Sequence, residues 1–430
     1  MIGVAGILIM IVLFLVKVPI GISLLVVGLA GTGLIRGWDI ALTQLGRTTF
    51  DQASSYSLSV IPLFILMGML LSYTGIGRDL YKAVDSWMGH LPGGLAMATI
   101  GTAGVFSAIS GSLNATTATV AKITLPEMEK YKYDPKLSTS CVAAGGTLGI
   151  LIPPSVILIL YGILTQENIG KLLIAGIIPG ILQIILFIIT IVILVRRDPS
   201  IAPARTEKAT SKERFTSIVN IWPFLGLFTI SIGGIYLGIF TPTEAAGLGA
   251  FGALVFAILS KKIDLAKLKA SFDETVRLTS YIFLILIGAT LFSQFLSISR
   301  IPVKLTAYIG TLDLNAYIIL ALILIVLLIL GCFVEGLSLI VLTLPILYPV
   351  ITELGFNGIW FGVIMVLAIN IGSLTPPLGI SVYVIKGVVP EIPIQTIFKG
   401  VTPMIFAMIA CVVVLIIFPQ LITFLPDFMK

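Results

Sequence analysis

Two proline pairs, each sunk in an apolar run long enough to cross a bilayer, limit what this chain can fold into. The first run reads Gly145-Gly-Thr-Leu-Gly149-Ile-Leu-Ile-Pro153-Pro154-Ser155, and the second reads Asn370-Ile-Gly372-Ser-Leu-Thr375-Pro376-Pro377-Leu-Gly379. A helical carbonyl at position i bonds the N–H at i+4, and proline has none. The carbonyls of Gly149 and Ile150, and those of Gly372 and Ser373, are therefore expected to lose their helical partners. Ile152 and Thr375, each just before a proline, are pushed toward extended geometry. Unpaired backbone at membrane depth is tolerated only against protein or a wet cavity. Two such breaks, one in each half, point to a transporter's binding site.

Composition supports the membrane setting. Of 430 residues 58% are hydrophobic and only 11% charged, with a mean hydropathy of +1.14. No soluble domain of this size has that composition. The N-terminus is apolar at once and lacks a basic leader, so it is expected to be a retained helix, not a signal peptide. Cys141, Cys332 and Cys411 all fall in apolar segments and form neither a disulfide framework nor a metal motif. The net charge of +6 is a topology signal, and no nucleic-acid partner is expected.

Apolar segments are expected at 2–16, 20–35, 53–75, 172–195, 219–239, 243–260, 278–298 and 401–424. Residues 37–50, with Trp38, Ala41, Leu42 and Leu45 on one face, read as an interfacial amphipathic helix. The stretch 263–269 reads the same way, and 77–93 reads as a polar turn. Two pairs of shorter apolar pieces stand out, at 93–111 and 113–126 and again at 315–331 and 337–351. The broken segments follow them, at 137–165 and 358–388.

Local matches recur in the same order in both halves. Pro19 pairs with Pro242, Phe50-Asp51 with Phe272-Asp273, Gly68 with Gly288, Thr124-Leu-Pro126 with Thr343-Leu-Pro345, and Gly149/Pro153 with Gly372/Pro376. All lie at offsets of 219–223 residues, which indicates an internal duplication. If each short pair is a re-entrant hairpin, each half has five crossings, an odd number, and the halves are inverted. The expected division is 1–197 for the first repeat, 198–217 for a cytoplasmic linker and 218–430 for the second repeat. On this topology eighteen Lys and Arg, Lys17, Arg78, Arg196, Arg205, Lys212 and Lys261 among them, collect on one side. Six lie on the other: Arg36, Arg47, Lys171, Arg300, Lys304 and Lys430. The richer side is expected to be cytoplasmic, with both termini outside.

Candidate chemistry gathers at the hairpin tips. Helix C-termini offer carbonyls to a cation, and N-termini offer N–H groups to a carboxylate. Ser107 and Ser110 end the first hairpin arm, and Ser112, Asn114 and Thr116 begin the second, facing the break at Gly149–Pro154. Hydroxyl and carbonyl oxygens there suit a hard cation such as Na⁺. Small residues also let membrane helices pack closely, which is the plainer reading of a lone Ser-Gly-Ser. A second group sets Gly331 and Glu335 against Asn370, Gly372, Thr375 and Leu378. Glu335 is either a functional intramembrane carboxylate or a group that only caps a helix at a wet hairpin mouth. Thr241-Pro-Thr-Glu244 reads as an N-terminal capping box. His90 is the only histidine and falls in a Gly-His-Leu-Pro-Gly turn. No nucleotide-binding loop, metalloprotease motif or nucleophile elbow is present, so an enzyme is not expected.

Taken together, Ser110-Gly-Ser, Leu125-Pro-Glu-Met, Leu151-Ile-Pro-Pro-Ser155, Thr241-Pro-Thr-Glu-Ala-Ala and Thr375-Pro-Pro-Leu-Gly resemble the large membrane subunit of tripartite ATP-independent periplasmic (TRAP) transporters. The resemblance covers nearly the whole chain. It implies an all-α polytopic protein of the inner membrane that works as a Na⁺-coupled elevator carrier for organic acids of the sialic acid or C4-dicarboxylate class. It implies a small four-helix membrane subunit, separate here because the chain starts at its first helix, and a periplasmic substrate-binding protein. It places one Na⁺ among Ser107, Ser110, Gly149, Ile152 and Pro154, and another among Gly331, Gly372, Thr375 and Leu378. Ser112, Asn114, Thr116, Glu335 and Asn370 remain as candidate substrate contacts. A self-sufficient Na⁺/dicarboxylate symporter and an anion channel are the alternatives.

Overall fold

The computed structural model describes residues 2–203, 208–311 and 314–429, and among them the chain is helical with no strand. Arg205 and Lys430, used above in the charge distribution, lie outside the described residues, as does part of the 198–217 linker.

The first half runs α1 (Ile2–Leu15), α2 (Ile20–Arg36), α3 (Trp38–Ala53), α4 (Val60–Tyr73) and α5 (Ile76–Met88). It continues with α6 (Gly94–Ser110), α7 (Leu113–Lys130), α8 (Pro135–Thr147), α9 (Val156–Thr165), α10 (Ile169–Ala175) and α11 (Ile177–Arg197). The second half runs α12 (Ser211–Tyr236), α13 (Pro242–Leu259), α14 (Leu265–Ile298), α15 (Ile301–Thr311), α16 (Ala316–Gly331), α17 (Gly336–Glu353), α18 (Gly358–Leu374), α19 (Ile380–Val388), α20 (Ile394–Ile417) and α21 (Gln420–Asp427). Seven described helical segments are long and apolar enough to cross a bilayer, among them 169–197, 265–298 and 394–417.

Short polar side chains start many of these helices by accepting an orphan N–H. Asp134 takes the Lys136 N–H at 2.6 Å, Asn168 that of Lys171 at 3.0 Å, Asp264 that of Lys267 at 2.7 Å and Asn357 that of Trp360 at 3.0 Å. Thr241 and Glu244 form the expected capping box, with Pro242 at the first helical position. Thr210 and Glu213 form a second one at the start of α12, so the last residues assigned to the linker are already helical.

Three sequence expectations need correction. The stretch from Gly77 is helix, not turn: in α5 Ile76, Leu80, Tyr81 and Ala83 are buried while Arg78 and Lys82 face out. Charges on the outer face hid an inward apolar stripe. The amphipathic piece at 263–269 and the crossing at 278–298 are one 34-residue helix, α14. Nothing between them breaks a helix, whereas Ser54 and Ser55 separate α3 from α4 in the first half. The second hairpin arm does not stop at Pro126 but runs through it to Lys130, as α17 runs through Pro345 and Pro349.

Both broken segments are where the prolines put them. Helix α8 ends at Thr147, a short 3₁₀ turn covers Leu148–Ile150, and α9 restarts at Val156. Helix α18 ends at Leu374 and α19 restarts at Ile380. Thr375, before the second pair, is extended at φ −85° and ψ 138°.

Buried apolar side chains fall into two cores. One is built from α6 to α9, α11 and α16 to α20, the hairpins and broken helices. The other is built from α2, α4, α5, α12, α13 and α14. Phe106 and Ile109 of α6, Ile159 and Leu160 of α9 and Leu342 of α17 reach across into the second core. Between the two bodies lies a cavity.

Candidate functional site

The cavity measures about 510 Å³ and takes its wall from both bodies. The first hairpin tip supplies Ser110 to Ala115 and the second supplies Glu335 to Ser338. The breaks contribute Ile150, Val156 and Ile157 on one side and Ile369, Asn370, Ser373 and Ile380 on the other. Helices α2, α4 and α14 close it with Ile20, Ile65, Met69, Glu274, Leu278, Tyr281 and Ile282.

At the first tip the chain turns at Gly111, whose N–H bonds the Ser107 carbonyl at 3.1 Å. The Ser107 hydroxyl is fully buried and donates to Ala103 at 2.6 Å, one turn behind the wall. Ser110 and Thr116 share a hydrogen bond between their hydroxyls. Ser112 caps α7 by accepting the Ala115 N–H at 3.5 Å, and Asn114 is open to the cavity. The break presses directly on this tip. A methyl at Gly149 would lie 2.6 Å from the Ser112 carbonyl oxygen and 2.7 Å from the Thr116 hydroxyl, so only glycine permits the approach. The Pro154 carbonyl faces Gly111. Ser110, Ser112, Thr116, Gly149 and Pro154 are thus one cluster of hydroxyl and carbonyl oxygens. The Ile152 side chain packs against Gly180 of α11.

Of the two carbonyls expected to be free here, one is. No donor among the described residues reaches Gly149. The Ile150 carbonyl accepts the Ser155 hydroxyl at 2.6 Å, and the Ser155 oxygen also accepts the Leu158 N–H at 3.2 Å. Ser155 thus joins the broken end of one helix to the start of the next, a role not read from the sequence.

The second group is tighter. Gly331 and Gly372 meet backbone to backbone: a methyl on Gly372 would lie 2.6 Å from the Leu328 carbonyl and 2.7 Å from Gly331. The Gly372 carbonyl is not orphaned as expected, because the chain tightens and the Thr375 N–H bonds it at 3.0 Å. The Thr375 hydroxyl donates to Ile371 at 2.7 Å. Leu378 is 42% exposed and lies off the cavity wall. Glu335 sits at the N-cap of α17, where the Ser338 hydroxyl donates to its carboxylate at 3.3 Å, and the Tyr281 hydroxyl from α14 interacts with both. Asn370 is fully buried, and its amide N–H donates to the Thr147 carbonyl at 3.0 Å. Gln183 donates to the Thr147 hydroxyl at 3.2 Å. This network joins the two broken helices where they pass each other.

Glu274 and Tyr281 were missed. The signal was present: Glu274, Leu278, Tyr281 and Ile282 recur at helical spacing, one carboxylate on a face that is otherwise Leu, Tyr and Ile. What the sequence could not say is that this face of α14 looks onto the hairpin tips. No described cluster of His, Cys, Asp or Glu could hold a transition metal.

Comparison with known proteins agrees with this architecture. The signature of the tripartite ATP-independent periplasmic transporter DctM component matches residues 7–421. An isethionate TRAP transporter permease protein DctMQ of Oleidesulfovibrio alaskensis is 34% identical over 94% of this chain, which spans 63% of that relative's length. The C4-dicarboxylate large permease protein DctM of Pseudomonas aeruginosa is 33% identical over 90% of each chain. The sialic acid large permease protein SiaM of Vibrio cholerae is 33% identical over 95% of each. In fold, the chain is similar to the YdaH transporter of Alcanivorax borkumensis, with a TM-score of 0.63 at 15% identity over 90% of each chain. These relatives are transport permeases and not enzymes. The chain belongs to the DctM family, the large multi-pass membrane permease of bacterial TRAP transporters.

Proposed function

We propose that this permease carries an organic acid across the inner membrane, driven by inward movement of Na⁺, after a periplasmic binding protein delivers it. A small membrane subunit completes the assembly. The observation that carries the reading is the convergence of both hairpin tips and both breaks on one cavity at the seam between two hydrophobic cores. Tips that end at a shared cavity support hairpins that enter and leave on one side. That gives inverted halves, periplasmic termini and a cavity near mid-membrane. In this scheme the hairpins and broken helices move as one body against α2, α4, α13 and α14, as an elevator does.

Na⁺ is cargo in this reading. The first seat draws on the free Gly149 carbonyl with the oxygens of Ser110, Thr116 and Pro154, and Ser107 ends the helix behind them. The second seat draws on Gly331, Gly372 and Thr375, where the Gly372 oxygen keeps a lone pair beyond its bond to Thr375. Relatives are named for isethionate, C4-dicarboxylates, sialic acid and ectoine, so an acidic group is the shared chemistry.

Uptake into proteoliposomes holding the permease, its small subunit and the loaded binding protein is expected to require an inward Na⁺ gradient. Uptake that persists when K⁺ replaces Na⁺ refutes the coupling. Uptake of free substrate without the binding protein indicates a self-sufficient symporter. Non-saturating conductance indicates a channel.

A further inference from the structure

The cavity wall is chemically one-sided. Among the described residues that form it none is Lys, Arg or His, yet it carries two carboxylates, Glu274 and Glu335. Glu335 is partly satisfied by Ser338 and the start of α17. Glu274 has no hydrogen bond or ion pair with any described residue. Arg277, one turn on, is exposed and is not a wall residue. Asn370 adds a third acceptor, since one of its amide N–H groups bonds the Thr147 carbonyl and its buried oxygen has no donor among the described residues. The Tyr281 hydroxyl, two turns from Glu274 along the same helix, interacts with Glu335 and Ser338. Donors are found at the opposite tip, where Ser110, Ser112 and Asn114 surround the first N–H groups of α7.

Such a wall repels a dianion. Like charges brought together in a partly desolvated site are strongly disfavoured. The two Na⁺ seats proposed above balance at most the two glutamates and leave nothing to pair with a second acidic group. A cationic group fits the other side, where Glu274, Glu335 and the Asn370 oxygen present acceptors with unmet capacity. We propose that the substrate is a zwitterionic organic acid. Its carboxylate is held at the α7 end by Ser112 and Asn114, and its ammonium or amidinium group is held between Glu274, Glu335 and Tyr281. This rests on the transport function proposed above and narrows its substrate class. Glu274, on the helix that does not belong to the hairpin body, becomes the specificity-determining residue.

The test is ligand-induced thermal stabilisation of the full-length permease in lipid nanodiscs at saturating Na⁺. The zwitterions are glycine betaine, ectoine and proline, and the anions are succinate and isethionate. At least one zwitterion is expected to stabilise the protein and neither anion to match it. Glu274→Gln is expected to weaken the zwitterion at least tenfold while leaving ligand-free melting unchanged. Stabilisation by the anions alone, by no zwitterion, or by a zwitterion with equal strength in Glu274→Gln overturns the proposal. The two readings fail separately. Na⁺-driven uptake of succinate with no zwitterion binding leaves the transport function and removes the inference. Zwitterion binding lost in Glu274→Gln, with uptake indifferent to Na⁺, does the reverse.

Discussion

A methyl group at Gly149 has no room to sit. It would press on the Ser112 carbonyl and the Thr116 hydroxyl, and both belong to a tip that is itself packed between α8 and α19. Forcing a carbon into a filled space costs about 1–3 kcal/mol, and here the strain falls on the proposed Na⁺ seat. Gly149→Ala is therefore expected to lower Na⁺ affinity by about fivefold to 150-fold, which is that cost expressed as a ratio. The measurement is Na⁺-dependent stabilisation in nanodiscs. Gly46→Ala is the control: it lies mid-helix in α3 with open space around it, and should stabilise the helix by about 0.5–1 kcal/mol. A Na⁺ titration that Gly149→Ala leaves unmoved removes Gly149 from the seat. At this scale the sequence was informative where chemistry is local. Proline pairs announce the loss of N–H groups wherever they fall. It was silent on what heals the loss, because the Thr375 N–H reaching Gly372 and the Ser155 hydroxyl reaching Ile150 depend on the path of the chain after the break.

Each broken segment is two helices that must be held as one element. In the first, Ser155 holds them together by capping α9 and bonding the end of the preceding turn, fully buried. Removing the hydroxyl gives up an N-cap worth about 1 kcal/mol and leaves a buried carbonyl unmet for roughly 1–3 kcal/mol. Ser155→Ala should therefore unfold several degrees lower, whereas Ser155→Thr, which keeps the oxygen, should recover most of the loss. Equal melting of Ser155→Ala and the parent protein would show that water replaces the hydroxyl. Elements were legible from the sequence when a whole stretch was apolar or when a breaker marked its end. Helix α5 was not, since Arg78, Asp79 and Lys82 masked the stripe of Ile76, Leu80 and Ala83. The unity of α14 was not either, because a polar first third looks like a separate surface helix until its packing along α2 and α4 is seen.

Across the whole molecule, the proposed elevator motion would carry one core past the other, and Phe106, Ile109, Ile159, Leu160 and Leu342, which reach into the second core, would have to change partners. Spin labels at Gly46 on α3 and Gly387 on α19, both with open space around them, report the distance between the bodies. Labels at the exposed Leu42 and Leu259 report a distance within one. On addition of Na⁺ and substrate the first pair is expected to shift between two distances and the second to keep one. If both pairs hold a single distance, the elevator motion is refuted.

Helix α14 has a mechanical consequence of its own. At about 1.5 Å per residue its 34 residues make a rod of roughly 50 Å, while the hydrocarbon layer is about 30 Å thick. Only its apolar stretch, 278–298, has to match that layer, and at about 31 Å it does. The polar first third, with Lys267, Lys269, Asp273 and Arg277, therefore stands beyond the hydrocarbon as a stiff continuation of a cavity wall. A push on that protruding end is carried along the rod to Tyr281 and Ile282 without bending a joint.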